Sequence, residues 1–245
     1  MTELRESSSV RFASLVWSAV DRAFLAGMRA AAEPGRELVL SYGGRAVGYL
    51  IDLRNPFAAG RPVRRDDLPE VYRYQEREAI WQAVDRSIEG GLLTESSDGV
   101  LAPTDRGKAF LTDLFALHSR VLAERWGGQA TRVSRLNDRL ARLLAEAAAT
   151  AGPAWRVQAP PHEPPEVDPG VWLLNRLSTL RYHRADAHAA AWQAAGLTAA
   201  EMVALPPGPA REAIEHDTDV RAAAPYRLLS PDERLELLAD LAALP

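Results

Sequence analysis

Residues 62–111 decide the fold, and they read PVRRDDLPEVYRYQEREAIWQAVDRSIEGGLLTESSDGVLAPTDRGKAFL. Asp66 or Asp67 can cap a short helix that runs to about Tyr72, because an aspartate side chain accepts a hydrogen bond from the free amides of a first helical turn. A second helix, from about Gln75 to Glu89, has its apolar residues three to four positions apart on one side. The first half of the stretch therefore predicts two consecutive helices.

The second half of the stretch predicts a hairpin and a third helix. Gly90 and Gly91 end the second helix, since glycine readily adopts the left-handed conformation at a helix C-terminus. Ser97-Asp98-Gly99, between two short apolar runs, is typical of a β-hairpin turn. Thr104 can cap the helix that follows. The order helix, helix, two-stranded wing, helix is that of a winged helix-turn-helix, in which the second helix of the pair enters the major groove of DNA.

Arginine and glutamine on the second helix and near the wing suit contacts with phosphates and base edges. The predicted DNA-contacting residues are Arg73, Gln75, Arg77, Gln82, Arg86, Arg106 and Lys108. Residues 61–110 nevertheless contain eight basic and ten acidic side chains. Because DNA attracts clustered cations, the acidic side chains must point away if this unit is to bind DNA.

Composition places the chain among ordinary globular proteins. It has 245 residues, 47% of them hydrophobic and 25% charged, and a net charge of −4. The lack of cysteine excludes disulfides, thiol nucleophiles and cysteine-ligated metals. No apolar run approaches the roughly 18 residues that span a bilayer, and the first residues lack the apolar segment of a signal peptide. We therefore expect a cytoplasmic protein with no membrane partner.

The remaining sequence predicts further helices around a proline-rich break. Apolar periodicity predicts helices over Val10–Ala32, Glu37–Leu53, Thr104–Trp126 and Arg132–Thr150. Six prolines between residues 153 and 169 exclude a helix or a central strand there. The predicted organisation is a helical winged helix-turn-helix domain at 1–150, a linker at 151–170 and a helical domain at 171–245.

The predicted fold class is therefore mainly α, a winged helix-turn-helix with one small β-hairpin plus a C-terminal helical domain. The long helices Val10–Ala32 and Thr104–Trp126 are expected to form a homodimer interface, because dimeric regulators bind two half-sites.

The helix that begins the C-terminal region reads LLNRLSTLRYHRADAHAAAWQAAGL over residues 173–197. Helical spacing places Arg181, Arg184 and His188 on its apolar face, where buried charge requires a partner. Two explanations remain open. The arginines can pair with acids of a neighbouring helix, such as Glu215 or Asp219, or they can line a pocket for an anionic small-molecule effector.

Metal and catalytic sites are not predicted. His183, Asp186 and His188 are spread around the helix, so a shared metal site would need ligands from elsewhere in the chain. The sequence contains no G-x-S-x-G, no phosphate-binding loop and no G-x-G-x-x-G. We expect a protein without catalytic residues or cofactors.

Two resemblances extend these expectations. The pattern GLL-TESSDG-VLAPTDRGKAFL resembles the wing of MarR-type regulators, where a T-x-x-G helix start follows the hairpin, and it implies the winged fold. The C-terminal region resembles an uncharacterised actinobacterial helix-turn-helix family with an H-R-x-D-x-H helix and an I-E-x-x-T-D segment. The matching residues are His183, Arg184, Asp186, His188, Ile214, Glu215, Thr218 and Asp219.

The second resemblance departs from its family between Leu205 and Ala210, where a proline cluster replaces that family's reading helix and wing. It therefore implies a degenerate winged helix that serves packing, dimerisation or ligand sensing. Taken together, the sequence predicts a DNA-binding transcriptional regulator. A protein-interaction scaffold and a small-molecule-binding sensor or resistance protein are the alternatives.

Overall fold

The computed structural model describes residues 2–245, and their side chains from residue 8 onward. The chain is mainly helical, with 76% of its residues in helices and 4% in strands. The described residues form these α-helices: α1 Thr2–Ala32, α2 Arg36–Ser41, α3 Gly48–Asp52, α4 Arg54–Ala58, α5 Leu68–Val71, α6 Arg77–Glu89, α7 Asp105–Trp126, α8 Ala130–Ala147, α9 Pro153–Gln158, α10 Pro169–Ala194, α11 Ala199–Ala204, α12 Pro209–Ala222 and α13 Pro231–Ala242.

A small antiparallel sheet accompanies α5 and α6. Its strands are β1 Val63–Arg64, β2 Leu93–Glu95 and β3 Val100–Pro103, in the order β1-β3-β2. The hairpin of β2 and β3 was predicted, whereas β1 was missed. A two-residue strand is too short to show the alternation of apolar and polar residues that identifies a strand in sequence.

Two element predictions are wrong. The expected helix over Glu37–Leu53 is divided into α2, a 3-10 turn and α3, because Gly43 and Gly44 adopt φ values of 107° and 62°, which a helix cannot accommodate. Residues 153–158, predicted as linker, form the short helix α9. Pro153 occupies its first turn, where the missing amide hydrogen has no helical partner to lose.

Two buried clusters organise the molecule. The smaller one lies inside the unit of α3 to α7 and the sheet, and includes Leu68, Ile80 and Leu101. The larger one joins α1, α7, α8, α10 and α13, from Phe12 to Leu244. This larger core draws on residues from both sides of the proline-rich segment, so the described parts of the predicted domains 1–150 and 171–245 share one interior.

The apolar sides of α1 and α7 face the interior of the same chain. Val16 and Val20 of α1 and Leu122 and Trp126 of α7 are buried in the larger cluster with residues of α10. Most of the apolar residues expected to form a dimer interface therefore pack within the same chain, although Leu15 of α1 is 62% exposed. Among the helices that the structure describes, none has the length and apolar character to cross a membrane.

Candidate ligand pocket

One face of α10 carries the three polar side chains that the sequence indicates for ligand binding. Arg181, Arg184 and His188 follow one another at three- and four-residue steps, which places them on the same side of the helix. All three line one cavity of about 350 Å³, which is within the range of small-ligand sites. The lining residues are Trp17, Tyr74, Arg181, Tyr182, Arg184, Ala185, His188, Glu215 and Thr218.

Arg184 is held between two helices and an aromatic ring. Its Nη1 lies 2.8 Å from Asp219 Oδ1 and its Nη2 lies 3.7 Å from Glu215 Oε2, both on α12. The guanidinium carbon lies 5.1 Å from the centre of the Trp17 ring. Only 13% of the Arg184 side chain is exposed. The structural network considered in the sequence analysis is therefore present for this arginine.

Arg181 finds its partners on α1. Its Nη2 lies 2.8 Å from Asp21 Oδ1, and its guanidinium carbon lies 4.3 Å from the centre of the Phe24 ring. An arginine stacked on an aromatic face and paired with a carboxylate has a fixed orientation. Both arginines therefore form a preorganised wall of the pocket.

A chain of hydrogen bonds sets the protonation of His188. Trp192 Nε1 donates to the hydroxyl oxygen of Tyr74 over 3.3 Å, and that hydroxyl lies 2.8 Å from His188 Nδ1. When the Tyr74 hydroxyl donates to Nδ1, a neutral imidazole carries its proton on Nε2. Glu215 Oε1, 3.6 Å from Nε2, favours the same tautomer because a carboxylate repels a nitrogen lone pair.

Burial lowers the pKa of His188, and the charges of Arg184, Arg73 and Arg211 act in the same direction, while Glu215 opposes them. A histidine whose pKa lies below its ordinary value of about 6.5 is mainly neutral at pH 7. His188 therefore presents an Nε2–H donor to the cavity.

One buried donor in the pocket is unsatisfied. His188 Nε2 has no hydrogen-bond partner within the described part of the chain, and the oxygen of its neighbouring carboxylate, Glu215 Oε1, lies 3.6 Å away. Arg184 Nη1 is ion-paired with Asp219 Oδ1 at 2.8 Å. A buried donor without an acceptor costs about 1–3 kcal/mol, so such groups in folded proteins usually have a partner. The Nε2–H of His188 therefore faces the cavity without an acceptor from the described residues.

The pocket is connected to the turn that precedes α6. Arg73 Nη2 lies 2.6 Å from Asp186 Oδ1 of α10, and their side chains are only 8% and 6% exposed. Asp186 also accepts hydrogen bonds from the first amides of α9, at Ala154 and Trp155. With Tyr74 bonded to His188, residues 73 and 74 attach the α5–α6 turn to α10.

This anchoring corrects the prediction that Arg73 contacts DNA, because its guanidinium is buried in an ion pair. The other predicted contacts are exposed, yet several have partners. Gln82 Nε2 donates to Glu78 over 3.1 Å, Lys108 Nζ lies 3.2 Å from Asp105, and Arg106 lies over the Tyr42 ring.

Charge on the outer side of α6 is mainly negative. Gln75, Arg77 and Arg86 are exposed there. The same surface of the helix and its N-cap exposes four carboxylates, those of Glu76, Glu78, Asp85 and Glu89. Asp85 is neutralised by Arg65 at 2.6 Å. With Asp85 paired, the guanidiniums of Arg77 and Arg86 lie among three other carboxylates, and this surface does not form the positive stripe that phosphates attract.

The histidines considered for a metal site are used separately. His183 Nε2 lies 2.8 Å from the Thr150 hydroxyl, whereas His188 is bonded to Tyr74 and Asp186 to Arg73. Within residues that the structure describes, no group of three or more acidic, histidine or cysteine side chains could hold a metal ion.

Sequence reasoning missed the aromatic half of the pocket. Trp17 and Tyr74 are 164 and 107 residues from Arg181 along the chain (181 − 17 and 181 − 74), and no local pattern relates them. Larger hollows, of about 390, 830 and 850 Å³, lie elsewhere. The one of about 850 Å³ is lined mostly by alanine, proline and aliphatic groups, and it lacks an unsatisfied buried donor among the described residues. In comparisons with known proteins, no protein-family model matched the chain, and no curated protein or solved structure matched it significantly.

Proposed function

We propose that this chain is a small-molecule-binding protein whose pocket is formed by α1, α10, α12 and the turn before α6. The observation that carries the proposal is the unsatisfied buried donor His188 Nε2, beside the side chains of Arg181 and Arg184, in a cavity of about 350 Å³. Trp17, Tyr74 and Tyr182 supply aromatic surfaces, on which a flat ring can stack. A ligand with one hydrogen-bond acceptor group and one ring system matches these walls.

The proposed role is sensing, because the pocket is attached to the unit that resembles a winged helix-turn-helix. In this proposal α5 and α6 are the helix pair, β2 and β3 are the wing, and β1 completes the sheet. Tyr74 both lines the cavity and precedes α6 by three residues. A ligand that contacts Tyr74 or His188 changes the bonds that position α6, and binding is thereby transmitted to that helix. No reaction is part of the proposal.

Thermal unfolding with a panel of aromatic compounds tests the proposal. The panel contains naphthoate, naphthamide and naphthalenemethylammonium, which share a ring system and differ in the polar group. We expect at least one member to raise Tm with increasing concentration, since a ligand that binds only the folded state stabilises it. His188→Phe keeps a ring and removes both nitrogens, and it should abolish the shift. Gln193→Ala, an exposed change on the same helix, should leave it intact.

Failure of the whole panel to shift Tm, or an equal shift in His188→Phe, would contradict the proposed pocket.

DNA binding is a second candidate function. It is favoured by the exposure of α6, which the C-terminal third does not cover: Glu76–Ala79, Gln82, Asp85, Arg86 and Glu89 are all open to solvent. The four carboxylates on this surface weigh against it.

A mobility-shift titration with the protein's own upstream DNA is the test of DNA binding. Binding that weakens with salt and is lost in Arg77→Glu plus Arg86→Glu supports it, and unchanged binding in that variant contradicts a reading role for α6.

A further inference from the structure

Glu215 occupies an unusual position at the mouth of the pocket. Its two carboxylate oxygens approach one donor on each of two pocket residues, Oε2 at 3.7 Å from Arg184 Nη2 and Oε1 at 3.6 Å from His188 Nε2. Both distances exceed the hydrogen-bond range of about 2.7–3.2 Å. The Glu215 side chain is 51% exposed, whereas those of Arg184 and His188 are 13% and 22% exposed. A half-exposed acceptor therefore faces two largely buried donors without a hydrogen bond to either.

Asp219 differs from Glu215 in each of these respects. Its side chain is 11% exposed and its Oδ1 lies 2.8 Å from Arg184 Nη1. Asp219 is consequently the permanent counter-ion of Arg184, and it stays in place when Glu215 moves. Glu215 can turn to solvent at little cost, because a half-exposed carboxylate is already well hydrated and its long ion pairs contribute little.

We infer, on the basis of the proposed function, that the ligand is an aromatic carboxylate and that Glu215 is its internal competitor. The ligand's carboxylate takes the place of the Glu215 carboxylate between Arg184 and His188, at hydrogen-bond distance from both donors. Its ring lies against Trp17 and Tyr74. Because one carboxylate leaves as another enters, the charge of the pocket is conserved, and the arginines need no new counter-ion.

The test is calorimetric titration of Glu215→Gln with naphthoate, naphthamide and naphthalenemethylammonium. Removing the competing charge should tighten naphthoate binding roughly fivefold, in the range of an exposed ion pair, and leave naphthamide within about twofold. The matched control is Asp217→Asn on the same helix, whose partner is Arg221 at 2.9 Å and which lies outside the pocket lining. Naphthoate affinity should be unchanged in this control.

The outcomes distinguish the inference about Glu215 from the proposed pocket on which it rests. If naphthoate binds the wild type and its affinity for Glu215→Gln is equal or weaker, the competitor inference is overturned. The pocket proposal then still stands. Preference for naphthalenemethylammonium, lost in Glu215→Gln, also overturns it, because Glu215 would then be a direct partner of a cationic ligand. Absence of binding by all three compounds to both proteins contradicts the pocket itself.

Discussion

Gly107 shows how a single residue without a side chain permits the junction between the hairpin and α7. A Cβ at this position would lie 2.2 Å from the carbonyl oxygen of Leu92. Thr104 holds the same corner, since its Oγ1 accepts from the Gly107 amide over 3.1 Å and donates to Gly91 O over 2.7 Å. The T-x-x-G pattern noted in the sequence therefore has a steric cause.

Gly107→Ala should lower the free energy of unfolding by about 2 kcal/mol or more, because the backbone must shift to admit the methyl group. Urea unfolding measures the change. Gly127→Ala is the matched control, since a Cβ there meets nothing within 4 Å and φ is −58°; it should be neutral or slightly stabilising. Equal effects in the two variants would contradict the steric account.

His183 and His118 make the fold sensitive to mild acid. Burial lowers the pKa of His183 to about 4, and burial together with the charge of Arg54 lowers that of His118 to about 3. Histidines of the unfolded chain titrate near pH 6.5. Between that value and the folded-state values the unfolded chain binds more protons, so stability is full above about pH 6.5 and declines as pH falls through this window.

Denaturant unfolding at about pH 7 and about pH 5 checks this expectation, since most carboxylates titrate below that range. The midpoint should be lower at the acidic value. His183→Gln, which can retain the hydrogen bond to Thr150, should reduce the difference between the two midpoints. Identical midpoints in the wild type would show that these histidines are not buried in the neutral form.

At the scale of elements, α8 and α13 are joined by a ladder of ion pairs. Asp240, whose side chain is 8% exposed, lies 2.7 Å from Arg135 and 3.2 Å from Arg139. Burial alone would raise the pKa of Asp240, but the hydrogen bond and charge of Arg135, with the charges of Arg139 and Arg132, lower it overall. The arginine-lined side of α8 is therefore a helix-packing surface.

Asp240→Asn should lower the free energy of unfolding by about 2 kcal/mol, since it removes a nearly buried negative charge that Arg132, Arg135 and Arg139 share. Glu236→Gln, at a side chain that is 60% exposed, should cost less than about 1 kcal/mol. Urea unfolding of both variants makes the comparison. A larger effect at Glu236 than at Asp240 would contradict this ranking.

Helices with strong local signals were predicted well, and those fixed by distant contacts were not. Apolar periodicity located α1, α7 and α10, because each buries one side against the same core. Helix α9 was missed, because Asp186, 31 residues from Trp155, supplies the acceptor for its first amides. The same limit applies to the pocket: the arginine and histidine face was visible in α10, and its aromatic walls were not.

At the scale of the whole molecule, the pocket and α6 are joined through one turn. Arg73 and Asp186 are 113 residues apart, and Tyr74 and His188 are 114 apart. These two contacts attach the turn before α6 to α10, the helix that carries Arg184 and His188. Occupation of the pocket should therefore stabilise the start of α6 as well as α10.

Amide hydrogen exchange with and without naphthoate tests this coupling. We expect slower exchange in residues 72–80 as well as in α10 and α12 when ligand is bound. Tyr74→Phe removes the hydroxyl that links His188 to the turn, and protection of residues 72–80 should then be lost while protection of α12 remains. Protection confined to α10 and α12 in the wild type would contradict transmission to α6.

The most direct measurement of the central claim is a calorimetric titration of the wild-type protein and of His188→Phe with naphthoate. The pocket proposal predicts saturable binding of one molecule per chain in the wild type and no measurable binding in His188→Phe. Equal binding by the two proteins would place the ligand elsewhere, and no binding by the wild type would contradict the account.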